Sequence, residues 1–86
     1  MTNETEKELH QKRLIIRTKN ITLRYFLIED SGNYGIKIAC FNDDVYDENR
    51  AFPLANTKEE VTELLAVMAK NFVFPVSLFE ILEEVT

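Results

Sequence analysis

Two side chains in this 86-residue chain are of the types that act as nucleophile or base in many enzymes, the single histidine His10 and the single cysteine Cys40. A catalytic thiol or imidazole needs a second group that activates or orients it. His10 lies in a polar stretch, and Cys40 falls on an alternating apolar row, where a buried thiol acts as a small apolar side chain. The two glycines, Gly32 and Gly35, make no phosphate loop, and no serine lies in a nucleophile elbow. We therefore expect no catalytic residue, no cofactor and no enzyme activity.

Carboxylates cluster in the middle of the chain, at Asp43, Asp44, Asp47 and Glu48. Such a cluster could attract a hard cation, but the calcium-loop template requires Gly at its sixth position and Glu at its twelfth. Counted from Asn42, no Gly follows at the sixth position, and the twelfth is Pro53. We interpret the stretch as a solvated acidic loop and predict no metal site, with weak divalent binding as the alternative.

Five cations with no acid among them occupy the stretch before the middle of the chain: Lys12, Arg13, Arg17, Lys19 and Arg24. On adjacent strands, Arg13, Arg17 and Arg24 would gather on one sheet face beside Tyr25 or Phe26, an arrangement that suits phosphates and stacked bases. The alternative is that these charges protect a sheet edge or extend over apolar neighbours. A net charge of -5 and a pI of about 4.8 argue against nucleic acid as the main partner.

Three phenylalanines near the C-terminus are the candidates for an apolar partner surface. Phe79 falls at the margin of the apolar stripe of a predicted helix, and Phe72 and Phe74 precede that helix in an apolar connector. Together they would leave an exposed apolar patch, which in a small protein marks a partner surface or a dimer contact. The alternative is burial of all three rings in the core.

The elements that must position these residues begin with strands. Apolar and polar residues alternate with period two from Ile21 to Phe41, on both sides of Asp30–Asn33, and predict a hairpin. We expect an even-numbered loop, at Gly32–Asn33 or over residues 30–33, because it keeps the apolar rows of both strands on one face. A first strand is expected over residues 12–18 and an edge strand over 51–54, where Pro53 lacks a ladder donor.

Two helices follow, each with an apolar stripe at the i, i+3, i+4, i+7 spacing. Thr57 and Glu60 predict a capping box for a helix over residues 58–71, and Ser77 and Glu80 predict another for the last helix. The predicted fold class is α+β, a three- to four-stranded antiparallel meander with two C-terminal helices packed on one face. We expect a flexible N-terminal segment over residues 1–11 and a single domain over residues 12–86.

One combination of motifs resembles a known family. Tyr25–Asp30 is followed by Tyr34-Gly35-Ile36, a Glu-rich helix, and Asn71-x-Val73-x-Pro75-x-x-Leu78-x-x-Ile81-Leu82-Glu83. Over roughly residues 23–85 this is similar to a family of short proteins of Gram-positive, mainly clostridial, bacteria, classified only as a domain of unknown function. Members of that family often carry a histidine where this sequence has Ser77. The resemblance implies a bacterial cytosolic protein and two strands followed by two helices, and it supplies no substrate or catalytic residue.

The leading functional expectation is a small non-enzymatic protein-interaction or regulatory module that binds a protein partner or forms a homodimer. One alternative is an acidic inhibitor or mimic, encoded by a mobile element, that occupies a basic groove of a host or defence protein. The other is a weak nucleic-acid binder acting through the basic first strands. We expect a cytoplasmic location and no membrane partner, because no apolar run approaches the ~20 residues that a bilayer requires.

Overall fold

The computed structural model describes the backbone of residues 5–8, 14–16 and 21–85 and the side chains of residues 21–84. Its elements in chain order are β1 (Thr5–Glu8), β2 (Leu14–Ile16), β3 (Ile21–Asp30), β4 (Asn33–Asn42), β5 (Val45–Ala55), α1 (Lys58–Lys70), a 3₁₀ turn (Pro75–Ser77) and α2 (Leu78–Val85). The predicted α+β architecture, an antiparallel meander followed by two helices, is confirmed.

The sheet is antiparallel, and β3, β4 and β5 form its meander. β4 pairs with β3 along the whole strand, so β1 and β2 share the opposite side of β3, where β1 pairs with Phe26–Glu29 and β2 with Ile21–Leu23. The expected first strand over residues 12–18 contains β2. Residues 5–8 were not predicted as a strand, although their pairing with β3 extends the sheet.

The hairpin between β3 and β4 has the predicted even-numbered loop. Its two loop residues are Ser31 and Gly32, at φ 53° and 80°, because Asp30 and Asn33 still pair with each other. Positive φ at both positions is typical of the turn that follows the twist of a hairpin. The loop begins one residue earlier than the predicted Gly32–Asn33, and the predicted shared face is confirmed, since Leu27 lies opposite Ile36.

The structure corrects two predictions, the acidic loop over residues 43–48 and the short edge strand over residues 51–54. β5 runs for 11 residues, Asn42 pairs with Val45, and Asp43 and Asp44 alone form the turn. Asp43 adopts φ 56°, a conformation that Asp tolerates better than most residues. Pro53 follows a cis peptide bond within a register irregularity of β5, and β5 is the edge strand that Pro53 predicts.

The core lies between one face of the sheet and the two helices, as predicted. Alternate residues of β3 point into it, and their β4 neighbours continue the same face. The buried side chains come from β3 (Ile21, Leu23, Tyr25, Leu27), β4 (Ile36, Ile38, Cys40), α1 (Val61, Leu65, Met68, Ala69) and α2 (Leu78, Leu82). Because a helix of this length is marginal alone in water, this packing is what stabilises α1 and α2.

Both predicted capping boxes are wrong. Thr57 is the N-cap residue of α1 in extended conformation, but its hydroxyl makes no capping hydrogen bond. The second helical segment begins at Pro75 in the 3₁₀ turn, with Phe74 as its N-cap, so Ser77 lies inside the turn and caps nothing. Proline suits the first helical position because its missing N–H would have no partner there.

Candidate interaction surfaces

The connector between α1 and α2, residues 71–77, begins with a helix-ending motif. The Phe72 amide donates to the Ala69 carbonyl oxygen (3.3 Å) and the Val73 amide to the Met68 carbonyl oxygen (3.1 Å). This pair of bonds is the Schellman motif, whose first residue beyond the cap is left-handed and usually glycine. Here that residue is Phe72, at φ 55°. A large aromatic side chain therefore occupies a backbone conformation that disfavours side chains.

Two hydrogen bonds hold the connector against the sheet. The buried Tyr25 hydroxyl donates to the Val73 carbonyl oxygen at 3.0 Å, and Asn49 Nδ2 donates to the Pro75 carbonyl oxygen at 3.1 Å. Burial raises the pKa of the Tyr25 hydroxyl, as does the neighbouring Cys40 thiol, so Tyr25 stays protonated as a donor. The connector is thus fixed from the middle of β3 and from β5.

Three large apolar side chains on and after this connector face solvent. Phe72 is 52% exposed, Val76 82% and Phe79 53%, and we call them the exposed apolar group. The predicted exposure of Phe72 and Phe79 agrees with these values, whereas Phe74 is half-buried and packs against the core. Val76 was not among the predicted surface residues. Partner binding by Phe72, Phe74 and Phe79 stays a prediction.

Carboxylates border the exposed apolar group. Glu80 and Glu83 are exposed on α2, four residues after Val76 and Phe79 respectively. Residues 58–85, which contain both helices, hold six glutamates against two lysines. The helical layer is therefore acidic on its outer side.

The sheet face opposite the helices has a different character. Arg24, Phe26 and Lys37 lie on it, and the Lys37 ammonium is 4.6 Å from the centroid of the Phe26 ring. Lys37 Nζ is also 3.9 Å from Glu48 Oε1, and the Tyr46 hydroxyl donates to Glu48. That hydrogen bond is the largest cause of the lowered pKa of Glu48. Lys37 thus already contacts a ring and a carboxylate.

The predicted basic cluster is only partly placed by the structure. Arg24 is half-buried on the helix-free face beside Phe26, whereas Tyr25 lies in the core on the other face. Arg13 and Arg17 lie outside the described residues, as does His10. The gathering of Arg13, Arg17 and Arg24 on one sheet face therefore stays a prediction.

Among the residues that the structure describes, the acidic stretch and Cys40 are the candidates for metal and thiol chemistry. No group of three or more His, Cys, Asp or Glu side chains there could hold a metal ion. Asp47 and Glu48 are consecutive in β5 and point to opposite faces of the sheet, so the acidic stretch does not converge. Cys40 is buried, and burial, with a smaller effect of Asp47, raises the pKa of its thiol.

Neither α1 nor α2, nor any other described helix, has the length and apolar composition to cross a membrane. No curated protein and no solved structure matches the chain. A family model described as a family of unknown function, DUF6514, matches residues 4–86. The chain therefore belongs to the DUF6514 family of unknown function.

Proposed function

We propose that this protein is a small, non-enzymatic protein-interaction module of the bacterial cytoplasm and that it binds its partner through the exposed apolar group. The observation that carries the proposal is that Phe72 combines a half-exposed ring with a left-handed backbone conformation. That conformation costs roughly 1–2 kcal/mol for a residue with a side chain, and exposed apolar surface adds nothing to folding. Backbone strain of this kind clusters at binding sites.

The fixed connector supports the same function. Tyr25 and Asn49 hold the connector through the Val73 and Pro75 carbonyls. A surface whose backbone is already ordered loses less conformational entropy when it binds. The exposed apolar group is therefore a pre-organised patch.

The titratable groups in the core favour a non-enzymatic role. The pKa values of Tyr25 and Cys40 are both raised by burial. A nucleophile or base that acts near neutral pH needs its pKa tuned toward that pH, and a reactive thiol has a lowered pKa. Both groups are instead held in their neutral forms.

Nucleic-acid binding through Arg13, Arg17 and Arg24 has less support. Of the three, the structure describes Arg24, which is half-buried. Lys37 on the same face contacts Phe26 and Glu48. A phosphate-binding surface needs accessible cations that can replace counterions, and these cations are not freely presented.

Site-specific photo-crosslinking tests the proposed function. A benzophenone amino acid replaces Val76 in the full chain, produced in a clostridial or other Gram-positive host because the family resemblance implies such an origin. The matched control carries the same group at Asp44, an exposed turn residue at the β4–β5 hairpin. We expect a discrete adduct from position 76 and none from position 44. The mass of the adduct distinguishes a second copy from another protein.

If benzophenone at Val76 and at Phe79 gives no more adduct than at Asp44, and the purified chain sediments as a monomer, the exposed apolar group binds no protein. The proposal is then wrong.

A further inference from the structure

From the charges that border the exposed apolar group we infer that its partner is a basic amphipathic segment of another protein, with apolar side chains flanked by lysine or arginine. The inference rests on the proposed function and adds the chemistry of the partner. It is carried by two features, the spacing of the exposed residues along the 3₁₀ turn and α2 and the charge at the C-terminal end of α2.

The first feature is the spacing of apolar and acidic residues on the outer side of α2 and of the 3₁₀ turn that leads into it. Residues three and four apart are neighbours on a helix surface. Val76 and Phe79 are three apart, and Glu80 and Glu83 follow each of them at a spacing of four. All four side chains are exposed, so one surface combines apolar groups with carboxylates. A partner that matches it offers apolar groups with cations.

The second feature is an unfavourable charge at the end of α2. Its last turn contains Glu83 and Glu84 and no basic residue, whereas α1 ends with Lys70. The C-terminal end of a helix carries partial negative charge, which destabilises nearby carboxylates and stabilises cations. The chain itself places no cation in this turn of α2. A lysine or arginine from a partner would supply the missing positive charge.

The same charges disfavour a second copy as the occupant. In a two-fold dimer both copies present the same patch, so the Glu80 and Glu83 carboxylates of both copies would lie within one interface. The helical layer holds six glutamates against two lysines, so few cations are available to offset this repulsion. A basic partner instead gains long-range attraction and a faster association rate.

Peptide titration against the full chain tests the inference. One fluorescent peptide is an amphipathic helix of leucine and lysine, and a second has glutamate at every lysine position. A third has the composition of the first in an order without amphipathicity. The paired change Glu80→Gln/Glu83→Gln removes two charges beside the exposed apolar group. The matched control Glu59→Gln/Glu63→Gln removes two exposed charges on α1.

We expect the leucine–lysine peptide to bind the native chain more tightly than the other two peptides, and less tightly as salt is added. The dissociation constant should rise about tenfold in Glu80→Gln/Glu83→Gln and less than about twofold in Glu59→Gln/Glu63→Gln. Phe79→Ser should weaken binding at least as strongly as the paired change. Circular dichroism confirms that each variant is folded, as the exposure of the changed side chains predicts.

The outcomes separate the inference from the proposed function. If Phe79→Ser weakens binding of the leucine–lysine and leucine–glutamate peptides alike while Glu80→Gln/Glu83→Gln changes nothing, the apolar group binds but the inferred charge is wrong. If both paired changes weaken binding equally, general acidity explains it and the inference fails. A dimer that Phe79→Ser dissociates would make a second copy the occupant and overturn only the inference. If neither Phe79→Ser nor Val76→Ser changes binding, the exposed apolar group binds nothing and both ideas fall.

Discussion

Phe72 occupies a backbone position that helices usually end with glycine. Its φ of 55° follows from the two hydrogen bonds that close α1, and its ring is half exposed. The ring therefore gains little burial in return for the strained conformation. The cost of the conformation can be measured separately from the loss of the ring by comparing two substitutions.

Phe72→Gly should give a more stable protein than Phe72→Ala, by about 1 kcal/mol in the free energy of unfolding. Both changes remove the ring, but only glycine accepts the left-handed conformation without a steric cost. Urea denaturation followed by circular dichroism measures the difference. Equal stability of the two variants, or a more stable alanine variant, would show that position 72 is not strained.

The Tyr25 hydroxyl makes the buried hydrogen bond that holds the connector against the sheet. Tyr25→Phe keeps the ring in the core but leaves the Val73 carbonyl without its donor, which should cost about 1–3 kcal/mol. Tyr34→Phe is the matched control, because its hydroxyl makes only a part-buried bond of 3.4 Å to Glu29. The control should lose less than about 0.5 kcal/mol. Comparable losses in the two variants would contradict a special role for the Tyr25 hydroxyl.

At the scale of the element, α2 is stable because of its buried face and in spite of its terminal charges. Leu78 and Leu82 pack in the core, whereas Glu83 and Glu84 lie at the end where a helix favours cations. A cation in this last turn would therefore stabilise the folded protein, whereas the inferred binding depends on its carboxylates.

Glu84→Lys should raise the free energy of unfolding by about 0.3–1 kcal/mol, because it places a cation in the last turn of α2. Glu80→Lys makes the same change of charge in the first turn, where the carboxylate is favourable, and should lower stability by a similar amount. Thermal or urea denaturation measures both. A stabilising effect of both changes would instead indicate that only the net charge of the molecule matters.

The elements that a repeating pattern specifies were predictable from the sequence. Alternation in β3 and β4 and the stripe of α1 follow from side chains that recur on one face, and the structure confirms the common core. The length of β5 was not predictable in this way, because its exposed residues Tyr46 to Glu48 carry no apolar row and pair with β4 through their backbone. The capping signal at Thr57 marks the start of α1 correctly, but its hydroxyl makes no capping bond, and the signal at Ser77 lies inside a helical segment that begins at Pro75.

The candidate site was predictable only in part. Phe79 stands out at the margin of a helical stripe and Phe72 in the apolar connector before it, but exposure depends on which side of the connector faces the sheet. That orientation is set by Tyr25 and Asn49, which are 48 and 26 residues away from their partners in the chain. No local pattern reports such contacts, so Val76 was missed, and the half-buried position of Phe74 could not be told from full exposure or full burial.

For the whole molecule, stability should fall at alkaline pH. The pKa values of Tyr25 and Cys40 are raised in the folded protein from ordinary values of 10.0 and 9.0. Each group therefore contributes its full stabilisation at pH values below its ordinary pKa. As the pH rises from the ordinary pKa toward the raised pKa of the folded protein, the group ionises first in the unfolded chain, and the stabilisation is lost. Each group can lower the free energy of unfolding by up to about 1.4 kcal/mol per pH unit in that range.

Urea denaturation at a series of pH values from about 8 to 11 measures this dependence. Cys40→Ala should flatten the first part of the decline, above about pH 9, and Tyr25→Phe the part above about pH 10. Both variants start from a lower stability at neutral pH, so the slopes are compared and not the absolute values. A native protein whose stability is constant across this range would contradict the raised pKa values.

The position of β1 and β2 beside β3 has a consequence for how the protein can be shortened. Together they occupy the flank of a ten-residue strand that would otherwise present bare amide and carbonyl groups next to an apolar core. A recombinant version that begins after Ile16 would offer that flank to strands of other molecules, the first step toward insoluble fibrils. We therefore expect the N-terminal strands to hinder polymerisation of the protein.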